Sequence, residues 1–263
     1  MRHTHSHSVR SVDHLAYISG MGGWNPVFKT VLALGTLALC LAVDRVVVSV
    51  AVIVSLAALQ RVKGGLAVRD YAGLMRVPLA FVMLGGLAIA CDISSTPAGD
   101  WNLPLGWFYV CAGADSAYFA LALVLKSLGA VSALYLLALT TSACEFVGVL
   151  RRAHLPRLLT ELMYLIYRFI FVLLDTHDRM RTAAGARLGW RDFCTACRSF
   201  GGTAAALLVV SLRKSRIYYD AMAARGYDGA LRFLEEDKPW RAAQVAGMAA
   251  FWAALALLGT VTV

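Results

Sequence analysis

Apolar residues occur along this chain in long runs separated by short polar segments. A helix needs roughly 17–25 mostly apolar residues to cross the hydrocarbon core of a bilayer, because its backbone polar groups must be satisfied within the helix. Five stretches of the 263-residue chain reach or approach this length: 27–43, 46–60, 77–91, 117–143 and 242–263. The pattern predicts an all-α polytopic membrane protein with about five transmembrane helices.

Two further apolar runs, 162–174 and 204–212, are too short to span a bilayer. Each is flanked by charged residues, a pattern typical of long amphipathic helices that begin against a membrane and extend into water. A shorter helix is predicted at 144–153, ahead of both.

Proline and glycine mark the expected ends of the two long amphipathic helices. The first is predicted to begin at Pro156, since proline suits the first helical turn, and to continue through Arg187 to a break at Gly189. The second is predicted to start after the glycines at 201–202 and to end at Gly226, because glycine often ends a helix in a left-handed conformation.

Basic residues determine the predicted orientation, because cytoplasmic loops retain Lys and Arg. They precede or begin the first predicted span and lie between the second and the third: Arg2, Arg10, Lys29, Arg61, Lys63, Arg69 and Arg76. The loop at 92–116 has none, whereas 144–241 holds 16 of the 25 basic residues. A six-span alternative, with 104–143 divided around Lys126, would place those positive charges outside and is rejected.

This topology predicts a multi-pass protein of the cell (inner) membrane with a cytoplasmic N-terminus. Residues 1–24 form a polar, His-containing cytoplasmic segment, and 25–143 form a membrane domain of four transmembrane helices. Residues 144–239 form a cytoplasmic region of long helices, and 240–263 form a C-terminal transmembrane helix.

Composition supports a membrane protein and disfavours other classes. The chain is 59% apolar and 16% charged, with a net charge of +9. Because basic residues alternate with long apolar runs, we expect contact with a membrane surface or an acidic protein and not with nucleic acid. The six cysteines are too dispersed for a disulfide scaffold, and residues 1–24 lack the apolar core of a signal peptide.

The two long amphipathic helices are predicted to end alike. The first ends in small residues followed by Arg187, and the second in small residues followed by Arg225, each with a glycine close behind. Small residues let a helix end approach another surface closely, and arginine offers several donors to carboxylates or carbonyls. Alternatively, the alanines are ordinary helix formers and the arginines complement the helix dipoles. Because the motif occurs twice, 38 residues apart, docking to two similar partner sites is favoured.

These ends resemble the paired Ala-Arg-Gly or Ala-Arg-Ser signatures of the T component of energy-coupling factor (ECF) transporters, and in particular of the cobalt-type members often called CbiQ. Other segments that resemble this family are 11–17, 24–26 with Lys29, 161–162 and 167–169. The resemblance covers most of the chain and is strongest at 150–230.

The resemblance implies a transmembrane coupling subunit, which transmits the motion of two cytosolic ABC ATPases to a substrate-binding membrane subunit of the CbiM type. It implies cobalt as cargo, with nickel or a vitamin as alternatives, and it allows a small accessory membrane subunit. It also implies that this chain binds no cofactor and no metal, since ATP and Mg²⁺ belong to the ATPases. The sequence has no GxxxxGK[ST] phosphate loop, so we expect no ATP hydrolysis by this chain and no enzymatic activity.

The implied ATPase contacts are the residues that match the two signatures: Ala186 and Arg187 for one ATPase, and Ala224, Arg225 and Gly226 for the other. The first motif departs from the family pattern at its third position, where Leu188 stands in place of a small residue. Gly189 follows at once, so a small residue is still close to the arginine.

Arg168 lies within an apolar run, where an ionisable side chain is costly unless it is paired or reaches water. One interpretation is a structural strut in which it pairs with Glu161 or Asp175. The other is that it extends to lipid phosphates. Asp175 and Arg179 have the spacing of a favourable helical ion pair.

Two patterns are compatible with metal or redox chemistry. Cys194 and Cys197 have thioredoxin-like spacing, but no strand-to-helix context surrounds them, so we expect packing residues. His3, His5 and His7 alternate in a polar tail that would gather transition-metal ions weakly, although a tail without function is the favoured interpretation.

A membrane enzyme that acts on a phosphorylated lipid is the competing function. It would bind phosphate through the cytoplasmic arginines and would need acids to hold Mg²⁺, for which Asp175 and Asp178 are a poor pair. The coupling subunit is favoured, because both the charge topology and the two arginine-terminated helices point to it.

Overall fold

The structure, a computed structural model, describes residues 16–65, 68–90, 92–94, 101–104, 109–112, 114–229, 231 and 238–261. The chain divides into two compact units. We call residues 12–142 with 237–263 the bundle, and residues 143–236 with 1–11 the hairpin unit. The histidine pattern at His3, His5 and His7 lies outside the described residues.

The bundle contains five long helices: α1 (Pro26–Ala42), α2 (Val46–Val62), α3 (Val68–Ala90), α4 (Ala114–Thr140) and α8 (Ala242–Val261). Each predicted transmembrane stretch corresponds to one of them, and the predicted helical membrane fold is confirmed. Within the described residues, four helices are long and apolar enough to cross a membrane: α3, α4, α8 and α7 (Phe193–Ala223) of the hairpin unit. Because α1 and α2 are shorter apolar helices, four to six helices can span.

α3 and α4 differ from their predicted bounds. α3 begins at Val68 and not near residue 77, because the helix continues through polar residues and through Pro78. α4 is a single helix across Lys126, whose ammonium pairs with Asp44 Oδ1 at 2.9 Å. The ion pair satisfies the lysine without a helix break, so the division that the six-span alternative needs does not occur.

A small antiparallel sheet, which the sequence analysis did not predict, lies between α3 and α4. Its strands are β1 (Asp92–Ser94), β2 (Trp101–Pro104) and β3 (Tyr109–Ala112), in the order β1-β3-β2. Strands of three or four residues are too short for the alternation of apolar and polar positions to show in a sequence.

The core of the bundle is built around α4, which packs against α1, α2 and α3. Glycines allow the closest approaches. A β-carbon at Gly129 of α4 would lie 2.9 Å from Cys40 Sγ, and one at Gly35 of α1 would collide with the Trp252 ring of α8. The same tryptophan donates from Nε1 to Thr36 Oγ1 at 3.1 Å. Small residues and interhelical hydrogen bonds are what brings helices together in lipid.

Lys29, in the first turn of α1, is a buried lysine whose ammonium caps the C-terminal end of α4. It is 1% exposed, and its Nζ donates to the carbonyl oxygen of Thr140 at 2.7 Å. Thr140 is the last residue of α4, where carbonyls lack intrahelical partners and the helix dipole is negative. The lysine therefore gains a favourable partner where the chain is about to leave the bundle.

Residues just before α1 form hydrogen bonds with Lys238, where the chain returns to the bundle. Lys238 Nζ donates to the carbonyl oxygen of Gly22 at 2.6 Å, and Asn25 Nδ2 donates to the carbonyl oxygen of Lys238 at 2.7 Å. The other side-chain atom of Asn25, Oδ1, caps α1. Residues 22–29, which we call the anchor segment, therefore bind the chain just before it leaves the bundle and just after it returns.

Replacing Lys29 by methionine should lower the free energy of unfolding by about 1–3 kcal/mol, because methionine keeps the packing volume but leaves the Thr140 carbonyl without its donor. The measurement is the unfolding midpoint of the purified chain in detergent, followed by tryptophan fluorescence. Lys126→Met is the matched control: its partner Asp44 is 79% exposed, and such pairs contribute at most about 1 kcal/mol. Equal losses in the two variants would contradict the role given to Lys29.

Candidate docking site at two helix ends

In its described residues, the hairpin unit has a short helix and two long ones: α5 (Ala143–Arg152), α6 (Arg157–Ala186) and α7. α5 and α6 lie close to their predicted bounds, but α7 begins at Phe193, earlier than predicted. Gly201 and Gly202 lie inside the helix, and apart from the adjacent residues and the helix's own backbone no atom lies within 4 Å of the place a β-carbon would take. The prediction that they precede the helix is wrong, because the helix-forming residues around them sustain it.

α6 and α7 pack together as an antiparallel pair. The rings of Phe169 and Tyr218 are 4.8 Å apart, and Lys214 Nζ donates to Thr176 Oγ1 at 3.1 Å. From the first contact to the second, the residue number rises along α6, from 169 to 176, and falls along α7, from 218 to 214. The two helices therefore run in opposite directions. The helices are therefore joined by a tight connection, residues 187–192, at one end of the pair.

The end of α6 closes with a Schellman motif that follows Arg187. Leu188 N donates to the carbonyl oxygen of Gly185 at 3.0 Å, and Gly189 N donates to that of Ala184 at 2.8 Å. These two bonds satisfy carbonyls that have no partner in the last helical turn. Leu188 has a φ of 59°, in the left-handed region that glycine usually occupies.

The end of α7 closes in the same way after Arg225. Gly226 N donates to the carbonyl oxygen of Ala223 at 3.0 Å, and Tyr227 N donates to that of Met222 at 3.1 Å. Gly226 has a φ of 80°, so the predicted left-handed glycine is confirmed here. Arg187 and Arg225 thus occupy equivalent positions, each directly before the left-handed residue. Ala186 and Ala224 come directly before them.

Gly189 does not stop α6 as predicted, because the left-handed residue is Leu188. It has a different role, in close packing. A β-carbon there would lie 2.6 Å from Ser199 Oγ and 2.8 Å from the carbonyl oxygen of Ala184. Only glycine lets the connection fold back this closely onto the first turns of α7.

The residues that matched the two signatures are accessible. All five are exposed: Ala186, Arg187, Ala224, Arg225 and Gly226. Within the described residues, neither guanidinium has an ion pair or hydrogen bond to the rest of the chain. α7 has 31 residues, so the two arginines, one before its start and one after its end, lie on the order of 45 Å apart. Groups at this distance suit two separate partner surfaces and not one groove.

The structure corrects the predicted strut at Arg168. Glu161 and Asp175 each pair with an arginine four residues away on their own helix, at 2.9 Å. The guanidinium carbon of Arg168 lies 5.0 Å from the centroid of the Tyr218 ring instead. Seven residues separate Arg168 from either acid, about 10.5 Å along a helix, so nearer arginines take the acids. The cation–π contact joins α6 to α7 and contributes about 0.5–1 kcal/mol.

The cysteine and acid patterns show no metal site. Cys194 and Cys197 are exposed on the first turns of α7. Asp178 Oδ1 lies 3.6 Å from His177 Nδ1, and Asp175 forms an ion pair with Arg179. In the part of the chain that the structure describes, no three His, Cys, Asp or Glu residues are grouped so as to hold a metal ion.

Two aromatic residues of the hairpin unit make contacts that the sequence did not predict. The Tyr218 ring makes a cation–π contact with the Arg168 guanidinium. No local sequence pattern reveals this contact, because the two residues lie on different helices. Trp190 donates from Nε1 to the carbonyl oxygen of Arg181 at 3.4 Å and packs near Gly185. A tryptophan directly after an exposed arginine motif is a signal that could have found it.

Comparison with known proteins gives consistent matches. The family model described as cobalt transport protein CbiQ matches residues 22–237, which include both helix ends. The cobalt transport protein CbiQ of Rhodobacter capsulatus is 32% identical over 230 residues, 86% of this chain and 88% of that protein. An uncharacterized protein of Methanocaldococcus jannaschii is 28% identical over 225 residues, 85% of this chain and 83% of its own length. A putative fused cobalt transport protein CbiMQ of Methanocorpusculum labreanum is 28% identical over 175 residues, 64% of this chain and 28% of that protein.

Gly226→Ala should destabilise the end of α7 by about 1–2 kcal/mol, because a β-carbon is unfavourable in the left-handed conformation. Gly201→Ala is the matched control, since the same change inside the helix should stabilise it by about 0.5–1 kcal/mol. The measurement is amide hydrogen exchange over α7 by mass spectrometry, together with the unfolding midpoint. Changes of the same sign in both variants would show that Gly226 is not required by its backbone conformation.

Proposed function

Because the chain belongs to the CbiQ family of cobalt transport proteins, we propose that it is the transmembrane coupling (T) subunit of an ECF-type ATP-driven cobalt importer. The observation that carries this proposal is the pair of equivalent helix ends, which present Arg187 and Arg225 to solvent in the same backbone setting. Ala186 and Arg187 contact one ABC ATPase, and Ala224 with Arg225 and Gly226 contact the other.

Two ATPases are proposed because the docking groups are far apart and alike. An arginine at a helix end offers several donors to carboxylates or carbonyl oxygens of a partner, and the small residue before it permits close approach. ATP and Mg²⁺ are held by the ATPases. This chain is a non-catalytic subunit that passes their motion along α6 and α7.

A CbiM-like substrate-binding membrane subunit is the second proposed partner. The fused relative in Methanocorpusculum labreanum carries both names in one chain, which supports a physical association between two such proteins. The outward faces of α3 and α8 are apolar and largely uncovered, so they suit lipid, this partner or a small accessory membrane subunit. The family supports cobalt as the cargo, and nickel and a vitamin are the alternatives that the identity of the partner decides.

The hairpin unit and the N-terminus are proposed to be cytoplasmic. α7 is apolar and long enough to span a membrane. If it did, Arg187 and Arg225 would face opposite sides, and only one could meet a cytosolic ATPase. The 16 basic residues at 144–241 favour the cytoplasm for the whole unit. α7 therefore lies along the membrane surface or against a partner, with its apolar face covered there.

Replacing both arginines by glutamate, Arg187→Glu with Arg225→Glu, should abolish co-purification of the ABC ATPases. Reversing a charge in a docked pair costs at least about 2 kcal/mol per site, so cobalt uptake by the reconstituted transporter should fall by more than about tenfold. The control is Arg213→Glu with Arg216→Glu, which makes the same charge change on exposed positions of α7. An intact complex with the first double variant would show that these arginines do not dock the ATPases.

A membrane-impermeant maleimide should label both ends of α7 from the same side of the membrane. The test uses a chain whose other cysteines are replaced by serine, because Cys111 lies in the loop expected outside. One variant keeps Cys194 and Cys197, which are exposed near the start of α7, and the other has Ala221→Cys alone, which places a thiol near its end. Both variants should react in inside-out vesicles and be protected in right-side-out vesicles. Labelling of the two ends from opposite sides would mean that α7 spans the membrane.

A further inference from the structure

The two docking ends share a hydrogen-bond pattern but present different side chains. At the left-handed position the first end has Leu188 and the second has Gly226. A leucine is unfavourable in this conformation, and Leu188 is 67% exposed, so packing within the chain does little to offset the strain. A strained, exposed apolar residue beside a docking arginine points to a contact made outside the chain.

Leu188 belongs to an exposed apolar cluster. Trp190 is 42% exposed and Phe193 is 87% exposed, so three large apolar side chains lie within six consecutive residues. We call Leu188, Trp190 and Phe193 the apolar corner. Residues 222–229, around the second end, contain no large exposed apolar side chain. The two ends therefore differ in the surface that they offer.

The apolar corner is held in a fixed place relative to Arg187. The bond from Trp190 to the carbonyl oxygen of Arg181 ties it to the last turns of α6. The close packing of Gly189 on Ser199 ties it to α7. A contact surface that is ordered before binding loses less entropy when a partner docks.

The charges around the corner define the chemistry of its partner. Four exposed arginines lie close to it along the chain, namely Arg181, Arg187, Arg191 and Arg198. The acid within this stretch, Asp192, lies 3.9 Å from Arg191. A partner surface with an apolar slot and an acidic rim complements this arrangement. A lipid surface would also accept apolar and basic groups, but insertion into lipid requires neither a leucine in a strained conformation nor the backbone arrangement that recurs at Arg225.

We propose that the apolar corner is a specificity contact, in which Leu188, with Trp190 and Phe193 beside it, fills an apolar slot on the surface of one ATPase subunit. The end at Arg225 has no such contact, so the two ends are not interchangeable and each holds its ATPase differently. This inference rests on the proposed function, since it names what distinguishes the two docking sites.

Leu188→Gly tests the proposal, because it should change stability and binding in opposite directions. Relief of the left-handed strain should raise the unfolding midpoint of the purified chain. Loss of the buried leucine should weaken binding of purified ATPase subunits to the chain in nanodiscs by about tenfold. A leucine with a merely structural role would leave binding unchanged.

Two further variants at this position separate apolar character from backbone strain. Leu188→Asn should weaken binding as glycine does, because asparagine tolerates the left-handed conformation but is polar. Leu188→Met should retain binding, because it keeps the apolar volume. Leu208→Asn, at a similarly exposed leucine within α7, is the matched control and should bind as the natural chain does.

The outcomes distinguish the two proposals. If Leu188→Gly and Leu188→Asn bind the ATPases normally while Arg187→Glu does not, the specificity contact is wrong and the docking function stands. If Arg187→Glu with Arg225→Glu also binds normally, the docking function itself is wrong. If Leu188→Asn instead lowers binding of the chain to vesicles that contain anionic lipid, and not to ATPase, the corner contacts the membrane and the specificity contact is overturned.

Discussion

The bond between the Lys29 ammonium and the carbonyl oxygen of Thr140 is the constraint on which the arrangement of this chain depends. A charge buried in an apolar bundle is tolerated only where it has a partner, and the unsatisfied end of α4 supplies one. Gly22 and Asn25 bind Lys238 in the same way, so the anchor segment, residues 22–29, holds the bundle residues at which the chain leaves and returns. The points where the chain leaves and re-enters the bundle are thus held by one short segment of the bundle itself.

Much of the fold could be predicted from the sequence, because lipid imposes simple requirements. A helix that crosses a bilayer needs a certain length of apolar residues, and that length is visible without a structure. Local chemistry likewise located the start of α6 at Pro156 and the left-handed residue at Gly226, since both residue types act through their own backbone. Arg187 and Arg225 could be singled out as candidates because the sequence around them repeats.

The rest depends on contacts that residues distant in sequence make. The cation–π contact of Arg168 with Tyr218 requires two helices to pack in one register, and nothing near either residue encodes it. Leu188 takes a conformation that its own type disfavours, so local propensity indicates the wrong residue, and only the comparison of the two helix ends reveals it. The glycines at 201–202 suggested a helix start, although the surrounding residues were sufficient to carry the helix through them.

That uninterrupted passage has a mechanical consequence. A helix resists bending mainly through its hydrogen bonds and the side chains packed along it, and adjacent glycines contribute no side chain at all. Apart from the adjacent residues and the helix's own backbone, no atom lies within 4 Å of either β-carbon position, so Gly201 and Gly202 leave the first third of α7 without side-chain packing that would resist bending there. A force applied at the Leu188 end would therefore bend the helix at these glycines more readily than the same force applied at the Arg225 end. Two helix ends with the same hydrogen-bond pattern would then differ in how readily the helix beside them bends.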